Sequence, residues 1–276
     1  MFAGCGTVYK LMYVVGFALM MAINLKTYKK YRFNQKMTII ITLITYVAGV
    51  VGAMLMGNIY TDLMVKNGFE VDSNVAIFGA VIFTPIFMTI ASLILRQDWR
   101  RVLDMLAPGI FVILTCAKFG CFINGCCYGL ECSFGIKYIW SNRIVFPIQI
   151  VEVFLMTLVV AFCFWFAFKS EKYSKGNVYP ITTIMYCIIR FFVEFFRYYK
   201  YEEQRHIVFG MTMWQFCCIL SIVVCILWLL ALRMPFVKKI DEKAYAIELE
   251  EDKIIEKQER LEKAKKRKEK ARRRKK

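Results

Sequence analysis

The run Ile189-Arg-Phe-Phe-Val-Glu-Phe-Phe-Arg197 sets a guanidinium and a carboxylate four residues apart among aromatic side chains. On a helix Arg190 and Glu194 share one face and can pair. An ionisable side chain in so apolar a stretch is expensive unless it meets a partner or a wet cavity. A self-neutralising pair would meet that demand, but the planar fork of arginine also suits a phosphate. A second cation, Lys118, opens Lys118-Phe-Gly-Cys-Phe-Ile-Asn-Gly-Cys-Cys-Tyr-Gly129, where Gly120, Gly125 and Gly129 recur. Glycines let a backbone bend and approach a ligand closely. Irregular backbone at membrane depth survives where it is buried in protein or lines a polar cavity. The other reading is a helix end packed through small residues, with Lys118 reaching outward. In Pro147-Ile-Gln-Ile-Val-Glu152, Pro147 suits a first helical turn, and Glu152 either complements the helix N-terminus or faces a site. Gln215 is a lone polar residue just inside another apolar run. Lys118 and Arg190, with Glu194 nearby, would together suit the headgroup of an anionic phospholipid.

Eleven cysteines suggest a disulfide framework until they are placed. Cys163, Cys187, Cys217, Cys218 and Cys225 lie in apolar runs, where cysteine behaves as a small hydrophobe. Cys116, Cys121, Cys126, Cys127 and Cys132 cluster around the glycine-bearing segment. Their spacing is not C-x-x-C and the single histidine, His206, is far off, so a zinc site stays open only as a weakly signalled alternative, and no metal and no cofactor are expected. Cys126 can serve as base or nucleophile only with a lowered pKa, for which Lys118 is the nearby cation.

Long apolar segments must position these groups. The chain has 276 residues, 59% apolar and 21% charged. Its apolar residues fall in runs near the roughly 20 residues that a helix needs to cross a bilayer. The ten-residue alternation of barrel strands is missing. The expected fold is all-α, a polytopic transmembrane bundle with about seven spans: Val8–Leu25, Met37–Asn58, Asn74–Leu95, Leu103–Phe122, Phe146–Phe168, Val178–Phe196 and Met213–Met234. The first is expected to stay uncleaved, because a basic run follows it with no small-x-small site. Lys and Arg concentrate after spans one, three, five and seven, which puts the N-terminus outside and the C-terminus in the cytoplasm. Residues 1–236 form the membrane domain, and 237–276 a charged, mostly basic cytoplasmic tail. Residues 257–276 alone hold thirteen Lys/Arg and three Glu, so the net charge of +17 needs no nucleic-acid partner. A solvated tail that sets topology, or one drawn to anionic lipid, accounts for it.

At these same residues the chain resembles the prolipoprotein diacylglyceryl transferases of bacterial inner membranes. The likeness runs in order through Tyr9-Lys-Leu-Met-Tyr-Val-Val-Gly-Phe17, Asp104-Met-Leu-Ala-Pro108, Gly120-Cys-Phe-Ile-Asn-Gly125, Pro147-Ile-Gln-Ile-Val-Glu152, Arg190-Phe-Phe-Val-Glu-Phe-Phe-Arg197 and Met213-Trp-Gln-Phe216. The resemblance implies transfer of a diacylglyceryl group from phosphatidylglycerol to the lipobox cysteine in a prolipoprotein signal peptide, in the bacterial cytoplasmic (inner) membrane. It assigns functional positions to Arg190, Glu194, Tyr9, Asn124, Gly125 and Gly129. Lys118 and Cys126 stand at altered positions of the catalytic set, and Gln149, Glu152, Arg197 and Gln215 lie within motifs expected to bind substrate. Several positions depart from the family pattern. The family histidine is Phe78, in Phe78-Gly-Ala80; its arginine before the glycine signature is Lys118; its asparagine and glutamate are Cys121 and Cys126; and Val50-Val-Gly52 replaces a Gly-Arg-Ile-Gly segment. Two alternatives stay open: a related lipid transfer through a cysteine nucleophile, and a non-catalytic phospholipid-binding membrane protein.

Overall fold

A computed structural model describes residues 6–70, 76–138, 143–169 and 176–237, together with positions 247, 250, 254, 257 and 261. Seven apolar helices follow one another: α1 (Thr7–Thr27), α2 (Gln35–Lys66), α3 (Phe78–Ile94), α4 (Trp99–Asn124), α5 (Ile148–Lys169), α6 (Val178–Phe195) and α7 (Met213–Leu232). Among the described residues six are long and apolar enough to cross a membrane; α3, with 17 residues, is shorter. At 1.5 Å per residue α3 reaches about 25 Å, short of the roughly 30 Å hydrocarbon layer. Its expected start, Asn74, lies outside the described residues. A short antiparallel pair, β1 (Glu131–Lys137) and β2 (Ile144–Val145), links α4 to α5; the sequence reading had placed no strand there.

The burial pattern is that of a multi-pass membrane protein. Large apolar side chains such as Val47, Leu55, Ile90, Phe154, Leu158 and Leu220 face outward, which suits lipid and would be a liability in water. Polar residues turn inward instead. Fully buried Asn24 of α1 donates from Nδ2 to Thr42 of α2 at 3.0 Å, and Thr38, Thr42 and Thr45 each bond to the carbonyl four residues earlier.

The helix that organises the bundle is α4. Its residues Val102 to Phe111 are all buried, and it packs on α1, α3, α5 and α6. Where α2 crosses α3, Gly52 and Gly79 meet backbone to backbone. A Cβ on Gly52 would lie 2.9 Å from the Gly79 carbonyl oxygen, and one on Gly79 would overlap the Gly52 carbonyl. Small residues are the usual means of such close helix approach in lipid.

The helix ends are tied with care. The Asn34 side chain caps α2 by accepting from the Met37 amide at 2.7 Å, and Asp98 caps α4 by accepting from Arg100 at 3.0 Å. The first amides of α6 are held from another helix. Buried Asp104 of α4 accepts from Gly176 at 2.7 Å, Val178 at 2.9 Å and Tyr179 at 3.1 Å. This fixes α6 to α4, and with it the register of Arg190 against Lys118.

By contact density the chain divides into two compact units, residues 1–226 and 227–276. The first holds the bundle. In the second, the end of α7 is helical, as are the described positions Ile247, Glu250, Ile254, Lys257 and Leu261. The other residues of the expected tail lie outside the described residues.

Candidate active site

Antiparallel succession brings the C-terminal ends of α4 and α6 and the N-terminal end of α5 to one end of the bundle. Each delivers a charged residue there: Lys118, Arg190 with Glu194, and Glu152. Cations suit helix C-termini and a carboxylate suits a helix N-terminus, so Lys118, Arg190 and Glu152 agree with their helix dipoles.

The Glu152 carboxylate is the hub. Its Oε2 accepts from Lys118 Nζ at 2.9 Å, and its Oε1 faces Arg190 Nη1 at 3.7 Å. Arg190 Nη2 pairs with Glu194 Oε2 at 2.5 Å, as its i,i+4 spacing requires. Arg197 Nη1 approaches the same Glu194 oxygen at 3.8 Å, and the Tyr199 hydroxyl donates to the other. Lys118, Glu152, Arg190 and Glu194 are all at most 6% exposed. Three cations, the less buried Arg197 among them, thus face two carboxylates. Arg190 Nη1 and Glu152 Oε1, facing each other across 3.7 Å, have no hydrogen-bond partner among the described residues. A buried guanidinium N–H that makes an ion pair without a hydrogen bond is costly, and an acceptor oxygen within hydrogen-bond reach would satisfy it.

A cavity of about 570 Å³ opens between α1, α2, α3 and α4, lined by Tyr13, Tyr46, Ala53, Ala80, Ile110 and Leu114 among others. The charged four are not among its lining residues. Leu114 of its wall precedes Lys118 by one helical turn, so the cavity runs along the α4 face that ends in the cation. Its size lies within the roughly 300–1,000 Å³ range of ligand pockets, and its walls are mostly apolar.

The other expected residues take definite places. Fully buried Gln149 donates from Nε2 to the Cys126 carbonyl at 2.7 Å and to the Tyr138 hydroxyl at 3.5 Å, while its Oε1 has no hydrogen-bond partner among the described residues. Asn124 Oδ1 accepts from the Gly6 amide at 3.1 Å, joining the end of α4 to the start of α1. Gly125 is the left-handed residue ending α4. Gly129 passes between two chain segments: its amide donates to Phe146 at 2.9 Å, and a Cβ there would lie 2.8 Å from the Phe196 carbonyl oxygen. Only glycine fits that clasp. Gln215 exchanges hydrogen bonds with Thr212, each at 3.1 Å, so its side-chain oxygen is engaged in a capping box at the start of α7. Tyr9 lies on α1, but its side chain is outside the described residues.

Of the two readings of the Lys118 segment, the outward-reaching lysine falls away: Lys118 is buried on Glu152. Nor does Lys118 lower the Cys126 thiol. A hydrogen bond with Cys121 pulls that thiol down, but one with Cys127 and burial outweigh it and push it up to about 12. The thiol held well below its usual range is Cys127, through hydrogen bonds with Cys121 and Cys126 and then the charges of Arg197 and Lys118.

Phe78, where the resemblance expects histidine, is buried and stacks on Tyr186 at 5.8 Å, with Trp214 edge-on at 6.3 Å. Tyr186 is one turn below Arg190 on α6, so the ring borders the charged cluster and contributes no base. Sequence reasoning also missed Tyr199 and the α6-capping role of Asp104. Tyr199 follows Arg197 closely in the chain, but its partner Glu194 is not signalled by spacing.

The family model described as prolipoprotein diacylglyceryl transferase matches residues 7–231. The chain is 25% identical over 206 residues to a phosphatidylglycerol–prolipoprotein diacylglyceryl transferase of Clostridium tetani, covering 67% of this chain and 81% of that one. It is 24% identical over 212 residues to phosphatidylglycerol–prolipoprotein diacylglyceryl transferase 2 of Clostridium perfringens, covering 69% and 79%. To the Dehalococcoides mccartyi protein of the same description it is 29% identical over 129 residues, covering 44% and 49%.

Proposed function

The chain belongs to the prolipoprotein diacylglyceryl transferase family, and from that premise we propose that it transfers a diacylglyceryl group from phosphatidylglycerol to the lipobox cysteine of prolipoproteins. The observation that carries the proposal is the buried Arg190 Nη1, beside Lys118 on Glu152 yet without a hydrogen bond among the described residues. A phosphodiester oxygen entering there would meet a fork and a point charge. The apolar cavity below Lys118 would take acyl chain. The acceptor thiolate attacks the glyceryl carbon, a C–S bond forms, and the C–O bond to phosphate breaks. The electron pair departs with glycerol phosphate. Lys118 and Arg190 stabilise the charge gathering on that phosphate, a kind of electrostatic contribution that is large in many enzymes. Glu152 and Glu194 hold the two cations in place.

The proposed setting is the bacterial cytoplasmic membrane, with the N-terminus outside and the basic tail in the cytoplasm. The test is to incubate the purified protein with labelled phosphatidylglycerol and a lipobox peptide. Label on the peptide thiol is expected, and Arg190→Ala should abolish it. Full activity in that variant would refute this site. The cysteine cluster favours one further reading, in which label appears on a protein cysteine instead.

A further inference from the structure

We infer that Cys121, Cys126 and Cys127 form a three-thiolate site for zinc, whose open fourth position binds the thiol that accepts the lipid; the second half rests on the transferase reading above. The three sulfur atoms lie within 4.8 Å of one another. A tetrahedral zinc with Zn–S bonds of about 2.3 Å sets its sulfurs roughly 3.8 Å apart, so side-chain adjustment of an ångström or less closes the site.

The backbone explains how a spacing unlike C-x-x-C achieves this. Cys121 is on the last turn of α4, Gly125 ends the helix with φ +65°, and Cys127 itself has φ +59°. Neighbouring side chains on helix or strand point apart. The left-handed residue folds Cys127 back so that its sulfur joins those of Cys121 and Cys126. A non-glycine residue in that region is strained, and such strain gathers at functional sites. The turn is also braced. The Cys126 amide donates to the Cys121 carbonyl at 3.1 Å, Gln149 holds the Cys126 carbonyl at 2.7 Å, and Tyr198 donates to the Tyr128 carbonyl at 3.1 Å.

Charge and ligand type agree. Three thiolates and one divalent ion carry one net negative charge, and two cations adjoin the turn: Lys118 lies three residues before Cys121 on α4, and Arg197 precedes Tyr198, whose amide holds the Tyr128 carbonyl. An all-sulfur set selects soft or borderline ions such as zinc over magnesium or calcium. Loading releases to solvent whatever protons the three thiols still carry. A fourth thiol then binds with loss of its own proton, because metal-bound thiols are deprotonated outright. The acceptor thiolate attacks the glyceryl carbon as described, and the thioether, a weaker ligand, leaves the metal. The metal thereby supplies the activation that Phe78 cannot.

The test uses the full-length protein, reduced and anaerobic in detergent, with Co²⁺ as probe. One equivalent should bind with thiolate-to-cobalt absorption in the near ultraviolet, bleached by Zn²⁺. Cys121→Ser, Cys126→Ser and Cys127→Ser should each weaken binding by more than the roughly 10–100-fold that loss of an outer contact costs. Cys116→Ser and Cys132→Ser should bind normally. Unfolding midpoints of all five, with alanine counterparts, separate ligand loss from misfolding. Adding a lipobox peptide should shift the visible cobalt bands, and its serine analogue should not. Absence of the near-ultraviolet band, or its persistence in the triple serine variant, overturns the site. Visible bands indifferent to the cysteine peptide overturn the acceptor role. Full transfer by chelator-treated, zinc-free protein overturns the inference and leaves the transferase reading standing. A cobalt–thiol signal without lipid transfer in any metal state sinks the transferase reading and keeps the site.

Discussion

Removing the Glu152 charge is expected to leave two buried cations facing a neutral group, and Lys118 should feel it most. At an effective dielectric constant near 20, unit charges 2.9 Å apart attract by about 6 kcal/mol, and those 3.7 Å apart by about 4 kcal/mol. Desolvation cancels part of both, so breaking the hub by Glu152→Gln should cost about 3–5 kcal/mol of stability. Lys118→Met in the same protein removes the cation stranded nearest, and the double variant should recover much of that loss. The Lys118/Glu152 coupling should come to about 3 kcal/mol, within the range measured for close, poorly solvated charge pairs. The assay is a double-mutant cycle of SDS-driven unfolding in detergent micelles, followed by circular dichroism. A coupling below about 0.5 kcal/mol, typical of exposed pairs, would refute the picture of a buried hub.

Three further outcomes follow from the geometry. Gly79→Ala drives a methyl into the Gly52 carbonyl and Met56 Cβ, and should lower stability by about 1–3 kcal/mol in the same unfolding assay. Asp104→Ala strands the amides of Gly176, Val178 and Tyr179; it should cost about 2 kcal/mol or more and speed hydrogen exchange at those amides, with Asp104→Asn milder. In metal-free protein at pH 7, iodoacetamide should modify Cys127 before Cys126. The first thiol is held down, so a larger fraction is thiolate; the second, pushed up to about 12, stays protonated until far higher pH. Peptide mapping after timed alkylation reads the order, and equal rates would contradict it.

The membrane class and most helices were legible in the sequence because they depend on local properties. A run of apolar residues near the thickness of the hydrocarbon layer forces a helix whatever surrounds it. The Arg190–Glu194 pair was legible for the same reason, since i,i+4 spacing on a helix is itself a contact. Glu152 stood between two readings, cap or site, and its role follows from α4 bringing Lys118 within 2.9 Å. Gln215 looked like a polar group in search of a ligand until its partner proved to be Thr212, three residues away, through reciprocal capping. The charged hub, the hold of Asp104 on α6 across 74 residues, and the meeting of three sulfurs at a spacing that argued against a metal were decided by tertiary structure alone. Chain spacing fixes which side chains share one helix face. Which faces of different helices meet depends on packing and on left-handed turns such as that at Cys127, and no local pattern encodes either.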